Sequence, residues 1–489
     1  MNAGADGGAA PQCRTCGHTD TRFALEATSV VPGLDGLRRF FSCTRCGTLL
    51  DVDVAGPAYD ADGEGVGLTD ESPHVKFYVE YGGGLETFAA CVSLLRAILG
   101  DTGRAPRLLE VGAGFGLMLS VARAAGFDPL GVEPSGIGRV GSAVLDVPIL
   151  RSLEETTAST TFDAVVSTEV IEHIAEPGPF LAALCARLAD DGVLLLTTPN
   201  AEVLTGDRTT ELEWTDALSP GAHLTLLAPR GLERLCRDHG LQEVRTLLSG
   251  GSSGRKQIVM VARRRGALPG DLDWQEALRA ADALVLTYLR QIVGSREEDG
   301  VADAFYRGAL FRLERRLVDL GAYAQALPII WRIDGLLRTM GHDEPGLAAF
   351  TPNDFGDYVS RVPAFLGLHY YYRGIVETNH LAQYERAAGT FALAGRLCRI
   401  QNDLGFYPTA SWSEWARYHE ALALSLGGRV PEAVAALDEL RAQAARLPRD
   451  LTAGVARLHA RLTGNPGRQG MAARATALLD RMRGGPARD

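Results

Sequence analysis

Arg107-Leu-Leu-Glu110-Val-Gly112-Ala-Gly114-Phe-Gly116 is the stretch of sequence that decides the fold. A short apolar strand, residues 107–111, runs into three glycines at alternate positions. Leu117 to Ala125 then reads as a helix, and Pro129 to Val132 as a second strand that ends at Glu133. Glycines in a strand-to-helix turn let the backbone approach a ligand closely, and an acidic residue closing the next strand can accept hydrogen bonds from a ribose diol. The pattern predicts a βαβ unit that binds a nucleoside cofactor. No further glycine completes the longer dinucleotide fingerprint in the same register, which counts against NAD.

The pattern continues downstream. Phe162-Asp-Ala-Val-Val-Ser-Thr168-Glu169-Val-Ile-Glu-His173 reads as a fourth strand with an acidic tip, and Leu188 to Asn200 as a fifth strand after an Asp-Gly turn. His223-Leu-Thr-Leu-Leu precedes an amphipathic helix, Pro229 to His239. Glu243 to Leu248 and Gln257 to Arg263 close as a final hairpin across residues 249–255. Together these segments resemble the class I S-adenosylmethionine-dependent methyltransferases over residues 75–266. The resemblance implies an α/β Rossmann-like fold with a seven-stranded mixed sheet. It also implies that Glu110, Gly112, Gly114 and Gly116 line the methionine part of S-adenosylmethionine and that Glu133 holds the ribose. The segment Ile149 to Leu153, after the third strand, would cover the adenine, and Thr168 and Glu169 would lie beside the reactive methyl. An aromatic and glycine cluster, Phe77 to Gly84 with Tyr81 within it, is expected to lid the cofactor; a linker turn is the plainer reading.

Methyl transfer displaces a carbon already activated by sulfonium, so the protein mainly orients the acceptor and excludes water. A hydroxyl or carbon-acid acceptor adds the need for a general base. His223 and His173, both just beyond strand ends, are the best-placed imidazoles, with Glu169 orienting one of them or the substrate. The loop from Ala201 to Ala222, carrying Glu211, Glu213, Trp214 and Asp216, is long enough to suggest a functional role.

Eight cysteines divide unevenly. Cys13 and Cys16, then Cys43 and Cys46, form two Cys-x2-Cys knuckles, each followed by glycine. Such spacing supplies four thiolates to one tetrahedral structural Zn2+ and leaves no position for catalysis. Phe23, Leu25, Phe40 and Phe41 alternate as ribbon strands would, so residues 11–57 read as a zinc ribbon behind a disordered start, residues 1–10. Two disulfides are the alternative, disfavoured because nothing else points to secretion. Cys91, Cys185, Cys236 and Cys398 stand among apolar neighbours and read as buried packing thiols.

After Arg265 the strand signals stop and helical periodicity takes over, defining an α-helical domain over residues 268–489. Gly321-x-Tyr323-x-x-Ala326, Ala382-x-Tyr384-x-x-Ala387 and Gly428-x-Val430-x-x-Ala433 each follow one helix and open another. They resemble degenerate tetratricopeptide repeats, although their intervals of 61 and 46 residues depart from the regular period of about 34. The concentrations His369 to Tyr372 and Trp412 with Trp415 read as helix-packing core, with a partner or substrate surface as the alternative.

A net charge of −11 over 489 residues argues against a nucleic-acid wrap, and no apolar run approaches the ~20 residues of a membrane span. The expected location is the cytoplasm. A ribbon ahead of a methyltransferase domain resembles the sugar C-methyltransferases of secondary metabolism, although the helical C-terminal region departs from that family. The expected activity is methyl transfer to a small hydroxylated natural product or sugar-derived metabolite. A methyltransferase for a protein, less readily RNA, recruited by the helical domain is the alternative. That domain is also the surface expected to take a protein partner or mediate self-association.

Overall fold

The computed structural model describes residues 11–29, 36–53, 72–81, 83–157, 159–205, 217–249, 257–295, 303–406 and 411–464. They form two compact units. The first draws its described residues from those up to Asp53 and from Gly84 to Val285; the second comprises helix α1 (Pro73–Tyr81) and the chain from Leu286 onward. The expected start at 1–10 and the acidic, Trp214-bearing part of the loop lie outside the described residues.

In the first unit, β1 (Thr21–Thr28), β2 (Leu37–Cys43) and β3 (Leu49–Asp51) form an antiparallel meander. The main sheet has seven strands: β4 (Arg107–Val111), β5 (Asp128–Val132), β6 (Ile149–Leu150), β7 (Phe162–Thr168), β8 (Leu188–Pro199), β10 (Glu243–Ser249) and β11 (Gln257–Arg263). Their order is β10-β11-β8-β7-β4-β5-β6. The strands from β6 to β8 run parallel, and β11 is antiparallel to both β8 and β10. Leu108, Leu109, Val165, Val166, Leu194 and Leu195 are wholly buried because helices cover both faces of such a sheet, and this is why β4, β7 and β8 read as unbroken apolar runs. The covering helices are α2 (Leu85–Leu99), α3 (Leu117–Ala124), α4 (Gly136–Leu145), α5 (Pro177–Ala186) and α6 (Pro229–Asp238). Cys91, Cys185 and Cys236 are buried among them, as expected of packing thiols.

The two-residue strand β9 (Thr225–Leu226) lies outside the main sheet. It pairs with β3, Leu49 opposite Leu226 and Leu50 opposite Thr225, so the cysteine-bearing meander becomes a four-stranded sheet. Phe40, Leu49, Leu204, Leu218, Leu226 and Ala228 share one apolar cluster there.

Helix α7 (Trp274–Ser295) spans the division between the units. The second unit continues as α8 (Ala304–Asp319), α9 (Tyr323–Thr339), α10 (Glu344–Ala348), α11 (Phe355–Arg361), α12 (Leu366–Asn379), α13 (Tyr384–Asp403), α14 (Trp412–Leu426), α15 (Val430–Ala442) and α16 (Arg449–Thr463). The three small-residue signatures fall at the corners α8/α9, α12/α13 and α14/α15. Gly321 and Gly428 take left-handed φ of +70° and +83°, and the N–H after each returns to a carbonyl five residues earlier, Ala322 to Leu317 and Arg429 to Leu424. These bonds satisfy the orphan carbonyls of a helix end. Ala326, Ala387 and Ala433 are completely buried, as close helix pairing requires. Cys398, His369 to Tyr372, Trp412 and Trp415 are likewise buried core.

The division differs from the expected limits of 75–266 and 268–489. Residues 73–81 form helix α1, where a turn was the plainer expectation, and it packs within the helical unit. Glu80, fully buried, pairs with Arg307 at 2.7 Å and accepts the Ala364 N–H at 2.7 Å. Gly308 lets α8 approach so closely that a Cβ there would clash with the Val79 carbonyl. No single helix among the described residues is long and apolar enough to cross a membrane.

Candidate active site

After β4 the chain must reverse, and Gly112, Gly114 and Gly116 do so with φ of +81°, +51° and +85°. The Gly112 and Ala113 N–H groups both donate to Val132 O, tying the loop to the end of β5. A Cβ at Gly114 would meet no described atom within 4 Å, so the loop faces open space at that point. Glu133 brackets the loop: one carboxylate oxygen accepts the Gly114 N–H at 3.0 Å and the other the Ser135 N–H at 2.9 Å. Glu110, at the end of β4, is 1% exposed, and its Oε2 has no hydrogen-bond partner among the described residues. Burial and the Glu133 charge push its carboxyl well above the usual range. Ile149 and Leu150 were expected to follow the third strand; they form it as β6, held in register by pairing with β5. Ile149 remains beside Gly116, 2.9 Å from where a Cβ would stand.

At the ends of β7 and β8 a second polar group gathers. Thr168 closes β7, largely buried. Glu169 holds φ of +54°, a strained value for a non-glycine residue. Its N–H donates to Thr197 O, and its carboxylate accepts from Thr197 Oγ1 and Gln257 Nε2, both at 2.8 Å. A single 3-10 turn, Ile171–His173, follows. Glu172 in that turn is wholly buried; Oε2 accepts from Thr198 Oγ1 at 2.9 Å, and Oε1 has no partner among the described residues. His173 Nδ1 donates to Ala222 O at 3.0 Å and His223 Nδ1 to Ala217 O at 2.9 Å, with the two rings 4.8 Å apart. The Leu224 N–H donates to Glu172 O at 2.7 Å, locking the two histidine-bearing segments together.

Burial raises the Glu169 carboxyl, and burial with the neighbouring Glu169 charge raises that of Glu172 further. Burial lowers His173 and takes His223 down to about 4, against the opposing pull of the Ala217 carbonyl. Both imidazoles are therefore neutral at pH 7, and His223 is a weaker base than its sequence position suggested, since general-base efficiency peaks when the pKa lies near the working pH. The glycine loop and the polar group adjoin. Val170 packs against Gly112, and the Cys91 thiol is pushed up by burial and by the Glu110 and Glu169 charges.

Glu110, Gly112, Gly114, Gly116 and Glu133 thus assemble at one end of the sheet, and Thr168, Glu169, His173 and His223 beside them. Tyr81 belongs to the other unit, where its ring stacks on Phe77 at 5.7 Å. Glu172 was missed as a site residue. Its signal was its i,i+3 relation to Glu169 and its place directly before His173.

The four knuckle cysteines also come together. Cys13 and Cys46 Sγ lie 3.6 Å apart, Cys16 and Cys43 Sγ 3.7 Å. Gly17 and Gly47 close the knuckles by donating to Cys13 O and Cys43 O.

Residues 85–246 match the family described as "Methyltransferase domain". Among curated proteins the chain is similar to the mitochondrial ubiquinone biosynthesis O-methyltransferase of Homo sapiens, 26% identical over 210 residues, covering 40% of this chain and 53% of that protein. The ubiquinone biosynthesis O-methyltransferase of Paramagnetospirillum magneticum is 31% identical over 115 residues, covering 22% and 44%. The chain thus spans about half, or less, of the length of these relatives. Among solved structures it is similar to the magnesium protoporphyrin IX methyltransferase of Synechocystis PCC 6803 with bound SAH, at 19% identity and TM-score 0.30, covering 37% of this chain and 84% of that one. The CurJ carbon methyltransferase aligns at 16% identity and TM-score 0.32, covering 40% and 58%. The chain carries an S-adenosylmethionine-dependent methyltransferase domain. S-adenosylmethionine is the cofactor of that domain family, here joined to a cysteine-bearing sheet and a helical C-terminal region.

Proposed function

We propose that the chain transfers a methyl group from S-adenosylmethionine to a small hydroxylated natural product or sugar-derived metabolite. The observation that carries this reading is the pair of carboxylates around the glycine loop. Glu110 presents a buried, unpartnered oxygen suited to a cationic group, and Glu133 keeps lone pairs for a ribose diol beyond the two N–H groups it already accepts. The open space at Gly114 suits close approach of a nucleoside. When bound, the cofactor supplies an electrophilic methyl on sulfonium. Thr168 and Glu169, one strand over, stand where the acceptor would meet that methyl, and His223, His173 and Glu172 form the polar wall that activates its nucleophile. The names of the curated relatives, O-methyltransferases of ubiquinone biosynthesis, favour oxygen as the accepting atom.

The same reading makes residues 11–57 a zinc ribbon. Four sulfurs on one ion at about 2.3 Å would lie about 3.8 Å apart, close to the observed 3.6 and 3.7 Å. The helical hairpins of the second unit are read as degenerate tetratricopeptide repeats.

The decisive measurement is transfer of labelled methyl from S-adenosylmethionine into a host extract, with and without its macromolecules removed. Label should enter the small-molecule fraction either way; label confined to macromolecules would overturn the acceptor class. In the same assay His223→Ala should cut turnover by roughly 10²–10⁴-fold, the scale of acid–base assistance, with cofactor affinity within about threefold of the parent. A loss of tenfold or less would remove His223 from the reaction.

A further inference from the structure

We propose that Glu172, His173 and His223 form a divalent-cation site distinct from the four-cysteine cluster. One ligand atom from each residue lies within 4.8 Å of the others. Donors bound to one cation at about 2.0–2.2 Å stand roughly 3 to 4.3 Å apart, depending on the angle between them, so the three need only small side-chain rotations to close on an ion.

Three features single this cluster out. First, both imidazoles are oriented as ligands would be, because each Nδ1–H is spent on a main-chain carbonyl, Ala222 for His173 and Ala217 for His223. That fixes the tautomer and places the lone pair on Nε2, the arrangement by which outer-shell carbonyls orient metal-ligating histidines. Second, Glu172 is wholly buried, and its Oε1 has no hydrogen-bond partner among the described residues. Leaving such a group unpaired is costly, and a cation in front of it removes the cost. Third, the buried Glu172 carboxylate stands near that of Glu169, which is exposed at the tip of β7, and the hydrogen-bond donors to the pair are the neutral groups of Thr197, Thr198 and Gln257. None of those donors carries a charge, so a cation placed between the imidazoles and Glu172 would offset the cost of bringing the two carboxyls together.

The donor set names the class of ion. Two imidazole nitrogens and one carboxylate oxygen suit first-row divalent metals such as Mn2+, Fe2+, Co2+ or Zn2+ rather than Ca2+ or Mg2+, and three ligands leave coordination positions open. Its catalytic meaning rests on the proposed function: the open positions would take an oxygen of the acceptor and hold it beside the methyl. The cation itself is measurable without cofactor or acceptor.

The experiment titrates full-length protein with Mn2+ and follows the free-ion signal by electron paramagnetic resonance; Mn2+ is a poor competitor for a thiolate site, so the cysteine cluster stays out of the measurement. The parent should bind one Mn2+ per chain. Glu172→Gln and His173→Gln should each weaken binding at least tenfold while circular dichroism and S-adenosylhomocysteine affinity stay near parental values. No Mn2+ uptake by the parent, or equal uptake by folded Glu172→Gln protein, would overturn the inference. Methyl transfer by a chain that takes up no cation would overturn it and leave the proposed function standing. Cation binding with no methyl transfer to any small molecule would support the site and sink that function instead.

Discussion

Replacing Glu133 with glutamine changes one oxygen to an amide and leaves the loop's shape nearly intact, so its effect can be worked out from the bonds observed. The two carboxylate oxygens accept the Gly114 and Ser135 N–H groups at 3.0 and 2.9 Å. Glutamine has a single acceptor oxygen, and its NH2 group must then face one of those two donors or the ribose hydroxyls that need an acceptor. At least one hydrogen bond to a charged group is lost, worth about 1.5–3 kcal/mol, which is roughly a 10- to 150-fold loss of affinity. Calorimetric titration with S-adenosylhomocysteine reads this directly, and the melting temperature of the ligand-free protein checks that the loop has survived. An affinity within threefold of the parent would mean that Glu133 does not hold the ribose. A weakened affinity accompanied by a collapsed melting temperature would mean that it is a loop strut only.

Glu110→Gln should give a ligand-free protein whose melting temperature relative to the parent rises from pH 5 to pH 8. The folded Glu110 carboxyl titrates above its unfolded value, so the parent alone loses stability as pH climbs past about 4.5; a difference flat with pH would refute this. His419, fully buried with Nδ1 against the Tyr371 hydroxyl, is pushed down to about 3 by burial. Its stabilisation is complete above its unfolded pKa of about 6.5 and is lost as pH falls towards 3, about 2 kcal/mol by pH 5. His419→Gln should flatten that acid limb in denaturant titrations followed by tryptophan fluorescence. His369, held between Glu314 and Asp334, is raised to about 9 and has the opposite sign: its contribution is whole below about 6.5 and disappears as pH rises through 9. His369→Gln should therefore flatten the alkaline limb instead. Cys43→Ser should lower zinc content from one ion per chain and reduce soluble yield, measured by native mass spectrometry; a folded, metal-free parent with free thiols would refute the ribbon.

The main sheet was legible because its strands are buried on both faces and punctuated by glycine, so β4, β5, β7 and β8 announce themselves without their partners. The cofactor loop was legible for the same reason. Glycines with φ near +80° are demanded locally. Helix α1 was not legible. Val79 and Glu80 are buried by Gly308 and Arg307, 227 residues away from Glu80 in the case of the ion pair, and nothing within Phe77 to Gly84 reports that. Strand β9 is two residues long, too short for any period to show. Glu172 went unassigned because the second acidic residue of a strand-end turn looks like an exposed one until Thr198 and Leu224 are seen closing over it.

The pairing of β3 with β9 ties the cysteine sheet to the segment that carries His223. Leu50 sits opposite Thr225, two residues from His223, and Asp51 N–H donates to the carbonyl of Leu224. A shortened chain beginning at α2 would leave Leu226 and Ala228 without Phe40 and Leu49, a loss on the scale of about 3–5 kcal/mol for the phenylalanine alone. The first casualty would be the histidine next to that seam. Loss of the knuckle's shape would reach that segment by the same route, through the β3–β9 pairing and the Phe40 cluster.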